Sequence, residues 1–225
     1  MNWVKRGVFT AGVFGAMLLF ATMVKSLPAQ AGNYDNDNDN RIRIGFKVAP
    51  VPPNLEHKDP ALVGLGSYMV NVVASCNDCH SDGPMTQYAP GGNPYFNQPE
   101  QVNTAVYLGG GRDFGPLVPG TPDIISRNLT PDKTGLPEGG HTFEQFVQIM
   151  RTGVDMDHLH PPCSATVTTN CLPPPFDGNL LQIMPWPTYS HLTDRDLRAI
   201  YEYLSAVPCV EGPTDPTDPL HNDCP

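Results

Sequence analysis

Five consecutive residues, Cys76-Asn77-Asp78-Cys79-His80, constrain this chain more than any other feature. The string is C-x-x-C-H. At this spacing two thiols can add across the two vinyl groups of a porphyrin, and the next residue places an imidazole below the iron. Two other readings compete. A thioredoxin-type redox pair normally follows a strand and opens a helix, whereas an apolar helical pattern precedes this motif. Half a zinc site would need a second close cysteine pair, which the sequence lacks. The string occurs once, so the expected cofactor is one covalent haem c, held by Cys76 and Cys79 with His80 on the iron.

The remaining four cysteines are Cys163, Cys171, Cys209 and Cys224. The first residues read as an export signal: Lys5 and Arg6, an apolar run from Val8 to Val24, and the small-x-small site Ala29-Gln30-Ala31. An uncleaved anchor is the alternative, because the run is near the lower length limit for a span. Export makes free thiols improbable. The neighbouring pairs Cys163–Cys171 and Cys209–Cys224 are the simplest of three pairings, each stabilising by about 2.5–3 kcal/mol.

Charge narrows the partners. The chain has 13 Lys and Arg against 23 Asp and Glu, and losing Lys5, Arg6 and Lys25 with the signal would take the formal charge from −10 to −13. Phosphate recognition needs a basic surface, so nucleic acid is excluded. The expected partners are redox proteins, with a basic docking patch suited to an acidic carrier. Membrane contact is expected only if the N-terminal segment stays on.

Residues 32–56 read as a flexible acidic leader followed by a Pro-rich arm. The tract Asn33–Asn40 does not fit a calcium loop, since Asn40 stands where Gly is needed and Phe46 where Glu is needed. Arg41 to Val48 alternates enough to predict a short strand. A first helix is expected after Asp59 as cap with Pro60 in its first turn, and with Leu65, Met69, Val72 and Val73 as its apolar face. Gly64 and Gly66 weaken it by about 1 kcal/mol each, which makes sense if another helix crosses closely. A second helix is expected from Thr142 to about Thr152, ended by Gly153. A third follows Thr193, with Leu197, Ile200, Tyr201 and Leu204 as its stripe and Pro208 beyond it. With 26 Pro and 21 Gly, residues 81–140 and 154–192 are long loops. A large prosthetic group replacing part of the core would explain them.

A sixth iron ligand is needed for pure electron transfer. Met69 and Met150 fall on apolar helix faces, and Met85 lies too close to His80 along the chain. Met184 precedes Pro185-Trp186-Pro187, a stiff segment able to hold a thioether in place, and is the leading candidate. Met156, His158 and His160 are the alternatives.

The pieces Gly66-Ser67-Tyr68, Leu108-Gly109-Gly110, Phe114-Gly115, Arg127 to Asp132, Phe143 to Gly153 and Met184-Pro185-Trp186-Pro187 through Tyr201 resemble a class I cytochrome c. The chain is similar to bacterial periplasmic cytochrome c domains and to haem subunits of periplasmic dehydrogenases. The resemblance spans about residues 60–207. It implies a mainly α fold of a few short helices around one haem with long Gly/Pro-rich loops, the first and last helices crossing beside it, and His80 and Met184 as axial ligands. Residues 81–107 and 154–181 stand out as insertions.

The expected organisation is a signal at 1–31, a leader and arm at 32–56, a cytochrome domain at 57–208, and a tail at 209–225 tethered by disulfide. The expected function is electron transfer outside the cytoplasm rather than catalysis. An electron-transfer subunit of a dehydrogenase or respiratory complex is the alternative, with the arm and insertions as docking surfaces. A peroxidase or haem sensor would require an open iron.

Overall fold

The computed structural model describes residues 32–213, 218 and 221–225, so the export segment lies outside the described residues. Helix α1 spans Gly32–Val48. The strand predicted over 41–48 is therefore a helix, and it continues from the helix that occupies the predicted leader. Four alternating apolar residues are too short a pattern to separate the two periods. Tertiary contact decides: α1 lies on α2 (Pro60–Tyr68), and the buried Ser67 hydroxyl donates to the Gly45 carbonyl at 2.7 Å. The Pro-rich arm between them is also docked. Val51 is buried in the core, and the Asn54 amide donates to the Ala206 carbonyl at 2.7 Å.

Helix α2 starts as its sequence dictates. Asp59 caps it, its carboxylate accepting from the Ala61 amide at 2.8 Å, and Pro60 occupies the first turn. Its far end departs from the expected face. Met69–Val73 forms a π turn, closed by the Ala74 amide on the Met69 carbonyl at 2.8 Å. The extra residue in the turn shifts the register. Val70 is buried, whereas Val72 and Val73, expected inside, are exposed.

The one-turn α3 (Cys76–Cys79) follows. A short antiparallel hairpin, β1 (Asp113–Pro116) and β2 (Asp123–Ile125), pairs Asp113 with Ile125 and Pro116 with Asp123. A single turn, α4 (Pro137–Gly140), leads to α5 (Phe143–Thr152). Helix α5 begins with a reciprocal capping box between Thr142 and Gln145 and ends at Gly153. The short α6 (Trp186–Tyr189) precedes α7 (Asp194–Leu204), which carries a second capping box between Thr193 and Asp196.

Helices α2 and α7 cross at the centre of the core. A Cβ on Gly66 would stand 1.9 Å from the Ala199 carbonyl oxygen, so only glycine permits this approach. Val63, Val70, Leu197, Ile200 and Leu204 are sealed around the crossing. Each such side chain contributes about 1.5–3 kcal/mol by burial. Tyr107 and Tyr203 are buried there too, their hydroxyls 2.9 Å apart, with Tyr107 donating to Asn71 Oδ1 at 2.6 Å.

The four remaining cysteines form two disulfides, Cys163–Cys171 and Cys209–Cys224. This consumes the ligands a zinc site would have needed. The second bond straps the tail onto residues 128–131. Buried Asn222 donates to the Thr130 hydroxyl at 3.2 Å and to the Pro131 carbonyl at 3.2 Å, and Asn128 donates to the Val210 carbonyl at 2.8 Å.

Candidate functional site

The chain turns sharply into the C-x-x-C-H motif. Ser75 adopts φ 48, in the left-handed region, and redirects the backbone from the π turn into α3. Asn77 is buried and accepts from the Leu108 amide at 2.9 Å, while the Asp78 carboxylate accepts from Gln87 at 2.6 Å. The two side chains between the cysteines thus pin the motif to the following loop. Cys76 and Cys79 remain free and partly exposed. Burial pushes the Cys76 thiol up to about 12, with Cys79 adding to it. A reactive redox pair needs the opposite shift, toward the thiolate.

His80 is oriented by a backbone group 47 residues away. Its Nδ1 lies 2.8 Å from the Arg127 carbonyl oxygen. A carbonyl only accepts, so Nδ1 carries the proton and Nε2 keeps its lone pair, the arrangement used by metal-bound histidines. Burial holds the imidazole below its usual range, opposed by this hydrogen bond, which favours the neutral ligand form. The backbone approach is close on the other side as well. The Gly110 amide donates to the His80 carbonyl at 3.1 Å, and a Cβ on Gly110, at φ 73, would stand 2.4 Å from the Arg127 carbonyl carbon.

Cys76, Cys79 and His80 line a cleft enclosing about 1290 Å³ of empty space, part of it open to solvent. The lining is mainly apolar, with Phe146, Met150, Leu172, Leu181, Ile200 and Leu204 among it. A wide apolar slot with two free thiols and an oriented imidazole at its wall fits a covalent haem. Met184 lines the same cleft. Of the alternatives, His160 also lines it, and Met156 and His158 do not. His160 sits on an exposed loop with its Nδ1 3.2 Å from Asn170 Oδ1.

The segment around Met184 is held from several directions. The Met184 amide donates to the Gln182 carbonyl at 2.7 Å across Ile183, whose φ is 68. A β-branched residue in that region is an outlier, and a γ-turn of this sign is rare. The Trp186 amide returns to the Met184 carbonyl at 2.8 Å. Tyr189 donates to the Ala74 carbonyl at 3.2 Å, tying this segment to the residues before the motif. Arg151 of α5 donates to the Leu192 carbonyl at 2.6 Å and pairs with Asp194 at 2.7 Å.

A polar cluster on the cleft escaped the sequence reading. Arg127 pairs with buried Asp155 at 2.7 Å and with Asp157 at 3.1 Å. Glu138, in the αL conformation at φ 53, is 6% exposed, and its Oε2 has no hydrogen-bond partner. Burial pushes its carboxyl up to about 7, with Asp157 and Asp155 adding to this and His141 and Arg127 opposing it. No local pattern marks Glu138, because its burial and the Arg127, Asp155 and Asp157 charges come from other segments. Asp155 lies within the 154–181 insertion, which is thus a wall of the cleft as well as a surface loop.

Among the described residues no helix is long and apolar enough to cross a membrane. The chain is 25% identical over 173 residues to the fructose dehydrogenase cytochrome subunit of Gluconobacter japonicus, covering 76% of this chain and 26% of that protein. It is equally similar, at 25% over 173 residues, to the cytochrome c subunit of the quinone alcohol dehydrogenase of Gluconacetobacter polyoxogenes, covering 73% and 27%. The gluconate 2-dehydrogenase cytochrome c subunit of Pantoea cypripedii is 27% identical over 154 residues, 66% of this chain and 24% of that one. The chain spans about a quarter of the length of these relatives. No protein-family model and no solved structure matches it. Similarity to cytochrome c subunits supports electron transfer at a general level.

Proposed function

We propose that this chain is an exported electron-transfer protein of class I cytochrome c fold, carrying one haem bound through Cys76 and Cys79 with His80 and Met184 on the iron. The observation that carries this reading is the convergence on one apolar cleft of two free thiols, an imidazole with its Nδ1 engaged by Arg127, and Met184. When bound, the haem supplies a one-electron couple between ferric and ferrous iron. The chain's own residues do the rest. Asn77 and Gly110 hold the motif against the loop, the Arg127 carbonyl fixes the imidazole tautomer, and the apolar lining limits water around the ligands. The γ-turn at Ile183 and the Tyr189 and Arg151 contacts support Met184 over His160 as the sixth ligand. Strained backbone persists where surrounding structure over-determines it, often at a functional site.

Similarity to three dehydrogenase cytochrome subunits favours a dehydrogenase as the electron donor. The chain acts as a carrier or subunit beside such an enzyme and not as the enzyme. The test is direct. The purified mature chain should keep one haem per polypeptide through denaturation and acid-acetone extraction, and Met184→Ala should remove the sulfur-to-iron band of the oxidised protein and admit carbon monoxide. Extractable colour would refute covalent attachment. An unchanged band in the variant would refute Met184, and a wild-type iron open to carbon monoxide would favour a sensor or peroxidase.

A further inference from the structure

Glu138 is a buried carboxyl that takes no part in orienting His80, which the Arg127 carbonyl holds. It is 6% exposed, its Oε2 lacks any partner, and it lines the same cleft as Cys76, Cys79 and His80. Unpartnered buried carboxyl oxygens are rare in folded proteins because each forfeits hydration without a replacement. The residue also lies at φ 53 and ψ 56, outside the helical values of its own turn. The cleft opens to solvent, so a proton can reach this carboxyl.

The groups around Glu138 determine what it can do. From the segment after β2 comes the Arg127 guanidinium. From the segment after α5 come Asp155, 2.7 Å from Arg127, and Asp157, 3.1 Å from it. From the end of α4 comes His141, its Nδ1 against the Glu138 carbonyl and its Nε2 3.8 Å from Asp157. The single fixed cation is already matched by two aspartates. A third carboxylate therefore shares Arg127 with them, and its ionisation responds to any further charge placed in the cleft.

We propose that Glu138 is a proton-binding site linked to electron transfer: its carboxylate takes up one proton from solvent as one electron enters the cleft's haem, and releases it when the electron leaves. The inference rests on the haem reading above. The electron comes from a reduced dehydrogenase partner and reduces ferric to ferrous iron; the proton adds to a Glu138 carboxylate oxygen, so the cleft's charge is unchanged by the pair of events. The sign follows from electrostatics. Ferric iron carries one more positive charge than ferrous iron and favours the carboxylate, while reduction removes that charge and favours the acid. The reduction potential therefore falls as pH rises through the interval between the two protonation equilibria.

The test is the midpoint potential of the haem-loaded protein, poised spectroelectrochemically from pH 5 to 9. Wild type should show a sloping region, limited to about 59 mV per tenfold change in proton concentration for one electron and one proton, with flat regions on either side. Glu138→Gln should be flat across that region, and Glu138→Asp should retain a slope. A flat wild-type profile overturns the proposal. So does an undiminished slope in Glu138→Gln, which would assign the proton to His141 or to the haem's own carboxylates. If the Gln variant fails to load haem, redox-difference infrared spectra of wild type labelled with ¹³C-glutamate decide. A protonated glutamate carbonyl band must appear on reduction, and its absence overturns the proposal. Haem that extracts with acid-acetone would sink the haem reading itself, whereas retained haem with a pH-independent potential would sink this inference alone.

Discussion

Replacing Gly66 with alanine tests how the two central helices support the site. The added Cβ would stand 1.9 Å from the Ala199 carbonyl oxygen, 2.6 Å from its carbonyl carbon and 2.7 Å from the Tyr203 Cβ. Ordinary contact begins at 3.4 Å, so α2 and α7 must separate by about 1.5 Å. Two of the three atoms are backbone, and no rotamer change relieves them. Overpacking typically costs about 1–3 kcal/mol, and a rigid backbone clash belongs at the upper end. Alanine is favoured over glycine within a helix by about 1 kcal/mol, which opposes the clash. The net expectation is a loss of about 2 kcal/mol. With a urea dependence of about 2 kcal/mol per molar, the unfolding midpoint of the haem-loaded protein should fall by about 1 M. The assay is equilibrium urea unfolding followed by far-UV circular dichroism, with the Soret band read in parallel because α7 contributes Ile200 and Leu204 to the cleft. A midpoint equal to or above wild type would refute the reasoning, since helix propensity would then have outweighed the crossing.

Three further outcomes follow from the same geometry. Thr193→Ala removes the cap of α7, whose hydroxyl accepts from the Asp196 amide at 3.1 Å, and should cost about 1 kcal/mol in urea unfolding; no change would mean the capping box is idle. Replacing Cys209 and Cys224 together with serine opens a loop of sequence separation 15 and should cost about 3 kcal/mol, with faster amide exchange at Thr130, where the tail is tied down. Glu138, whose carboxyl rises from 4.5 to about 7, contributes stability that is complete below pH 4.5 and lost as pH rises through about 7, amounting to up to about 3 kcal/mol. The stability difference between wild type and Glu138→Gln should therefore shift against wild type over that interval, and a constant difference from pH 4.5 to 8 would contradict the burial argument.

The parts legible in the sequence are those whose cause lies within a few residues. Asp59, Thr142 and Thr193 cap helices because a cap bonds two or three residues onward. The C-x-x-C-H string carries its own spacing, and cysteines 8 and 15 residues apart are near neighbours in any compact chain. The glycine of α2 announced a close crossing without naming the helix that crosses. Tertiary structure decided the rest, because long-range packing leaves no local period. It made 41–48 a helix by laying it on α2, and it turned Val72 and Val73 outward through one π turn. It brought the Arg127 carbonyl to His80 and placed Met184 and His160, but neither Met156 nor His158, along the cleft. It also buried Glu138 among charges drawn from other segments, where desolvation and neighbouring aspartates change a carboxyl's chemistry in a way that no reading of its adjacent residues could reveal.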